Sequence, residues 1–408
     1  MAVDPPSVAA AAVFILTYII IAIGRVPGLR LDRAGAALVG GSLMLAVGAV
    51  RLDDLGRIID LPTLALLLGL MIVVGNLRLS GFFRLVTGWV AARARHPLQL
   101  LAAVIVSAGM FSAFLLNDAI CLVMTPLVVD IARRLRRDPV PYLLAVAMAS
   151  NIGSTATITG NPQNILIGSF SGLPYGRFAA ALSPVAAGGL LLTFLLIWLL
   201  HRREFRRGAW PDAPPRPAHL HRPLTRKALG VTLAMVAAFF AGVPPALAAL
   251  VAGGAMLVTR LVRSERIYRE IDWPLLVMFA GLFTVVAGCE KALLTPHIVA
   301  AVGRLHLDRV PALSLVTAAL SNLVSNVPAV LVLRPFIGAA GEPDRAWLTV
   351  AMASTLAGNL TILGSVANLI VVQGARARGV HIGFWAYFRV GAPLTMLTIL
   401  IGAGWLSF

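Results

Sequence analysis

Four short polar runs, each set inside apolar sequence, hold the side chains of this chain that can do chemistry. The first is Ser112-Ala113-Phe114-Leu115-Leu116-Asn117-Asp118-Ala119, and the third is Ser321-Asn322-Leu323-Val324-Ser325-Asn326-Val327-Pro328-Ala329. The second passes from Ser150 through Asn151, Thr155, Thr157, Gly160, Asn161, Pro162 and Gln163 to Asn164. The fourth passes from Ser354 through Asn359, Thr361 and Gly364 to Asn368. Together they offer amides, hydroxyls and, where Gly and Pro interrupt a helix, free backbone carbonyls. Pro162 has no N–H, so the carbonyl of Ile158 is expected to lose its helical donor. Carbonyl and Asn oxygens suit Na⁺, whereas the N-termini of half-helices are positive dipole ends and suit an anion. Asp118 is the only carboxylate at these centres, and no Lys or Arg stands at any of them. An anion is therefore expected to rest on N–H and O–H donors, with a cation alongside near Asn117, Asp118 and Asn326.

Blander roles compete. An acid at membrane depth is a candidate for cation or proton coupling, but Asp118 can also serve as a hairpin-tip cap for backbone N–H groups. Thr157 and Thr361 can bond back to their own helices, and Ser150 and Ser354 can be small packing residues. Asp60 and Asp272, each two residues before a proline, read as helix caps. Arg334 reads chiefly as a snorkelling residue. Cys121 and Cys289 fill apolar space, and the seven histidines show no metal spacing, so no cofactor beyond a Na⁺ or H⁺ coupling ion is expected. An intramembrane enzyme needs a nucleophile with a base, or a metal cluster, and neither lies beside the polar runs.

The elements that position these runs follow from composition. The chain is 59% hydrophobic and 12% charged, which excludes a soluble globular fold and places the protein in a lipid bilayer. The net charge of +17 does not signal nucleic acid, because the basic residues sit in short runs between spans of membrane length. Ten crossings are expected, at about 8–24, 34–50, 60–78, 142–168, 181–200, 228–242, 244–259, 272–290, 346–372 and 386–407. Regions 98–132 and 310–340 are expected as re-entrant hairpins, because each has both flanks on one side. Arg25, Arg30 and Arg33 put the first loop in the cytoplasm, and the arginines around 78–95 and 133–137 put both ends of the first hairpin there too. The second hairpin has mixed-charge flanks that suit the outer face. Both termini then lie outside the plasma (inner) membrane of a multi-pass protein.

An internal echo divides the chain. Ile59-Asp60-Leu61-Pro62 recurs as Ile271-Asp272-Trp273-Pro274, with Gly69 and Gly281 at one offset; Asn117 and Pro126 recur as Asn326 and Pro335. Val146-Ala147-Met148-Ala149-Ser150 recurs as Val350-Ala351-Met352-Ala353-Ser354, after which Thr157, Gly160 and Asn164 align on Thr361, Gly364 and Asn368. Five crossings per half make the halves insert with opposite orientation. The expected fold is an all-α polytopic membrane protein with two inverted repeats. Residues 1–200 form the first (hairpin 98–132, broken helix 142–168). A basic cytoplasmic linker, 201–227, leads to the second, 228–408 (hairpin 310–340, broken helix 346–372).

On Asn117, Ser325-Asn326, the segment Asn151–Asn164 and its partner Gly358–Asn368, the chain resembles the ion transporter superfamily. Within it, the likeness is to the arsenite-permease and NhaD-type branch and to the solute-carrier-13 divalent anion:sodium symporters. It covers nearly the whole chain. The symporters carry a Ser-Asn-Thr motif at each hairpin tip, where this chain has Leu116-Asn117-Asp118 and Ser325-Asn326-Val327. In the arsenite and Na⁺/H⁺ branches an Asp usually precedes the Asn; here Asp118 follows it. The resemblance implies a secondary transporter moving a small inorganic or organic anion, of the arsenite or dicarboxylate class, with Na⁺ or H⁺. The alternative is an NhaD-type Na⁺/H⁺ antiporter. The implied site comprises Asn117, Asp118, Asn151, Thr155, Thr157, Asn161, Asn164, Ser325, Asn326, Asn359, Thr361 and Asn368. The resemblance also implies a homodimer.

Overall fold

The computed structural model describes residues 5–24, 28, 30–206, 221–293, 304–337 and 342–408. Among them every regular element is helical. Six helices are long and apolar enough to cross a membrane: α4 (Leu61–Ser80), α6 (Pro97–Phe114), α10 (Tyr175–Leu200), α12 (Arg222–Phe240), α15 (Trp273–Leu293, apolar to Glu290) and α20 (Phe384–Ser407). Further apolar helices join them, including α1 (Pro5–Ile23), α2 (Arg33–Ala46) and α13 (Pro245–Leu257). Leu191, Leu233, Val251, Leu315 and Leu400 are exposed on these helices, an outer surface suited to lipid. Of the linker expected over 201–227, residues 207–220 lie outside the described residues, as does Arg25.

The helices begin where the sequence caps them. Asp60 accepts the Thr63 N–H at 3.0 Å and Asp272 accepts the Leu275 N–H at 3.1 Å, which meets free donors at the starts of α4 and α15. One helix was not anticipated. The stretch read as cytoplasmic loop contains α5 (Phe82–Arg93), which buries Phe83, Thr87 and Val90 while Leu85 and Trp89 stay exposed. Its arginines conceal a helical spacing of buried residues, and Arg93 lies 4.2 Å over the Trp89 ring.

Residues matched in the sequence echo make matched contacts. Helix α4 packs on α13, and α2 packs on α15, so each pairing takes one helix from each half. A Cβ on Gly69 would stand 2.4 Å from the carbonyl of Ala249, and one on Gly281 would stand 2.4 Å from the carbonyl of Ala37. Only glycine lets these backbones approach, and close backbone approach is what drives helix association where lipid is as apolar as the helix face.

Two hairpins reach into the protein. In the first, α6 and α7 (Asn117–Arg134) join through Leu115 and Leu116, both buried. In the second, α16 (Val310–Val324) and α17 (Asn326–Ile337) join through Ser325 alone. Each packs on an interrupted helix of its own half: α8 (Pro139–Ser154) leading to α9 (Pro162–Ser171), and α18 (Pro343–Ala357) leading to α19 (Val366–Arg376). Every residue from Pro141 to Ile167 is buried, so the first interrupted helix is the centre of the molecule.

Candidate substrate and ion site

The two interruptions have one geometry. Each is a single 3-10 turn, Ile158–Gly160 or Ile362–Gly364. Thr157 (φ −140°, ψ 165°) and Thr361 (φ −136°, ψ 166°) lead into them alike. The Asn164 amide donates to the carbonyls of Ser154 (3.0 Å) and Thr157 (2.9 Å). The Asn368 amide donates to those of Gly358 (2.7 Å) and Thr361 (3.0 Å). Four carbonyls left by the interruptions are thus satisfied, and these two asparagines stitch the breaks. A Cβ on Gly160 would stand 2.2 Å from the Ser154 carbonyl oxygen, and one on Gly364 2.8 Å from that of Gly358. The break also begins earlier than expected. Helix α8 ends at Ser154, so Ile158 is outside it, and Pro162 starts α9 with its fixed φ instead of ending α8.

Asn151 ties the two halves together. Its Oδ1 accepts from Asn117 Nδ2 (3.0 Å) and Ser365 Oγ (3.1 Å), and its Nδ2 donates to Asn359 Oδ1 (2.9 Å) and Asn368 Oδ1 (3.0 Å). That uses the full hydrogen-bonding capacity of an amide side chain. Thr355, at the matching place in the second half, accepts from Asn161 Nδ2 and Gln163 Nε2, both at 3.1 Å. Asn161 also caps α9 through the Asn164 N–H at 2.8 Å. Two expected site residues turn away: Thr155 bonds back to the Asn151 carbonyl at 3.2 Å, and Thr157 donates to the Ala113 carbonyl in the hairpin. Thr361 is half-buried at the start of its turn.

In front of this network lies a cavity of about 50 Å³. Both hairpin tips and both interruptions reach it: Asn117, Asp118, Ser325 and Asn326 from the tips, Gln163 and Ser365 from the breaks. One water needs roughly 10–15 Å³ of such volume, so the space suits a few water-sized groups. Among the described residues Asn117 Oδ1 has no hydrogen-bond partner, although Asn117 is only 4% exposed. No backbone N–H among the described residues caps the Asp118 carboxylate. Ser325 holds φ +80° and ψ 158°, a region that costs a residue with a side chain about 1–3 kcal/mol. A second cavity of about 100 Å³ shares Asp118, Pro162 and Leu275 with the first and runs to Arg78, Glu270 and Asp272.

Arg33 adds a guanidinium to the lining of the central cavity that the four polar runs do not contain. It stands in the first turn of α2, outside all four polar runs, and lines the central cavity together with the tips. The sequence reading used Arg33 only as a marker of loop orientation. Ser365 and Thr355 lie in the fourth polar run without being singled out by it, because a Ser or Thr there carries no signal until its cross-chain partner is known.

Comparison with known proteins places the chain in context. The model of a family described as citrate transporter matches residues 16–357. The silicon efflux transporter LSI3 of Oryza sativa subsp. japonica is 29% identical, over 98% of this chain and 97% of its own. A 46 kDa membrane protein of Mycobacterium leprae is 31% identical over 97% of each chain. The inner membrane protein YbiR of Escherichia coli is 30% identical over 84% of this chain and 87% of its own. Among solved structures, the YdaH transporter of Alcanivorax borkumensis shares the fold, with a TM-score of 0.60 at 15% identity, covering 99% of this chain and 98% of that one.

Proposed function

The chain belongs to the citrate transporter family, and from that premise we propose that it is a secondary active transporter moving a small anion or oxyanion across the plasma membrane, driven by Na⁺ or H⁺. The observation that carries this reading is the cavity where both hairpin tips and both interruptions converge on Asp118, Arg33 and the amides of Asn117, Asn326 and Gln163. It offers a carboxylate and an orphaned amide oxygen for a cation, and a guanidinium with amide N–H groups for an anion. The reading extends to architecture: two inverted repeats, both termini outside, alternating access by movement of hairpin and broken helix against the remainder, and a homodimer. The matched glycine contacts and the matched Asn164 and Asn368 stitches support the repeat.

The test is uptake into proteoliposomes of citrate, sulfate, phosphate and arsenite, with Na⁺ or H⁺ gradients imposed separately. Accumulation that follows one gradient is the expected result. Uptake indifferent to both would remove the coupling. The Asp118 carboxylate, which has no partner among the described residues, with Asp272 and Glu270 beyond it, favours one other reading, Na⁺/H⁺ exchange without an anion. Exchange in anion-free vesicles, lost in Asp118→Asn, would favour that reading over ours.

A further inference from the structure

Arg33 is the charge that the transport reading turns toward an anion without fixing what kind of anion. Its side chain is half-buried. It makes neither an ion pair nor a hydrogen bond among the described residues. Its guanidinium rests against the end of α1, where a Cβ on Gly24 would stand 3.5 Å from Nε and 3.7 Å from Nη2, yet no α1 carbonyl accepts from it. The neighbouring Asp32 carboxylate makes no ion pair with it among the described residues, and Asp32 Oδ1 accepts from the Gly35 N–H at 2.8 Å. Asp118 borders the same cavity without pairing with it. A guanidinium partly removed from water with no counter-charge is costly, and it presents a planar fork of N–H donors matched to carboxylate and oxyanion geometry.

We propose that Arg33 is the anion-binding residue of the central cavity, and that it restricts the substrate to species carrying a full negative charge. The class is a sulfate- or phosphate-sized oxyanion, or the carboxylate end of an organic acid. Uncharged hydroxy acids, such as silicic and arsenous acid near neutral pH, leave the guanidinium unanswered and are excluded. Asp118 and Asn117 hold the cation, so anion and cation share one cavity without sharing ligands. The 50 Å³ volume fits one tetrahedral oxyanion or one carboxylate head at a time. This rests on the transport reading and narrows it.

The experiment compares the full-length wild type, Arg33→Lys and Arg33→Gln, reconstituted in liposomes and purified in detergent. The probes are sulfate, succinate and germanic acid, an uncharged stand-in for silicic acid. The wild type should take up, and be thermally stabilised by, sulfate or succinate and not germanic acid; which of the two acts separates oxyanion from carboxylate chemistry. Arg33→Gln should raise the half-saturation concentration for the charged probe roughly tenfold or more, with Arg33→Lys between. Where Arg33→Gln does not purify as a folded protein, the shift in Arg33→Lys decides. An unchanged half-saturation in the variants overturns the role of Arg33 while the transport reading stands. Wild-type uptake of germanic acid in preference to both anions overturns it as well. A wild type that neither takes up nor is stabilised by either anion overturns both.

Discussion

Replacing Asn151 with Ala removes one side chain and opens four hydrogen bonds in a fully buried place. The partners left behind are Asn117 Nδ2, Ser365 Oγ, Asn359 Oδ1 and Asn368 Oδ1. Side-chain bonds inside membrane proteins average about 0.6 kcal/mol each by double-mutant cycles, so four are worth roughly 2–2.5 kcal/mol together. Leaving a buried donor or acceptor unanswered costs about 1–3 kcal/mol per group. Asn368 keeps its two Nδ2 donations to carbonyls and Ser365 Oγ still accepts from the Ala367 N–H at 3.3 Å, so both side chains stay in place while Asn368 Oδ1 and the Ser365 hydroxyl go unanswered, for a total of about 3–4 kcal/mol. Asn117→Ala breaks one of the four bonds and should cost under about 1 kcal/mol. Denaturant or thermal unfolding of the purified protein in one detergent measures both. If Asn151→Ala unfolds within a degree of wild type, or no further below it than Asn117→Ala, the hub does not hold the halves together and the argument fails.

Other perturbations follow from single contacts. Gly69→Ala and Gly281→Ala each place a methyl group 2.4 Å from a backbone carbonyl and should lower stability by about 1–3 kcal/mol. Gly254→Ala, which meets nothing within 4 Å, should leave unfolding unchanged or slightly delayed. Arg334→Gln loses the stacking of its guanidinium 4.2 Å over Phe170. At this exposed position about 0.5–1 kcal/mol is at stake, with transport by the wild-type route retained; a larger loss would mean Arg334 does more than snorkel. Burial holds the His201 imidazole below its ordinary pKa, and its Nδ1 has no partner among the described residues. The folded protein prefers the neutral ring, so this group's contribution is full above about pH 6.5 and shrinks as pH falls. The melting temperature should drop between pH 7.5 and 5.5, less so in His201→Gln; an identical slope in the two proteins would assign the acid loss elsewhere.

Much of the scaffold could be read from residue types. Gly160, Gly364, Asn164 and Asn368 recur at fixed spacing because each break needs one close backbone approach and one amide to answer stranded carbonyls. Those requirements are local, and local requirements leave local signatures. Asp60 and Asp272 were legible as caps for the same reason. The breadth of the Asn151 network was not, since its four partners come from the first hairpin, the break of the other half and the helix after it. Thr155 shows the converse: a polar residue in a polar run whose hydroxyl faces its own helix. Arg33 was hidden by a rule that treats arginines between spans as labels of sidedness. Such a rule carries no information on where a long side chain ends.

The pairing of α2 with α15 and of α4 with α13 has a consequence for how the protein is made. Membrane segments enter the bilayer in the order of synthesis, and domains ordinarily assemble as units along the way. Here the glycine-lined partner of each early helix is encoded far downstream: Ala37 waits for Gly281, and Gly69 waits for Ala249. The first half can insert, but its closest interhelical seams stay unfilled until α13 and α15 arrive. Assembly is therefore deferred to the end of synthesis, and a truncated product would present bare glycine grooves to quality control.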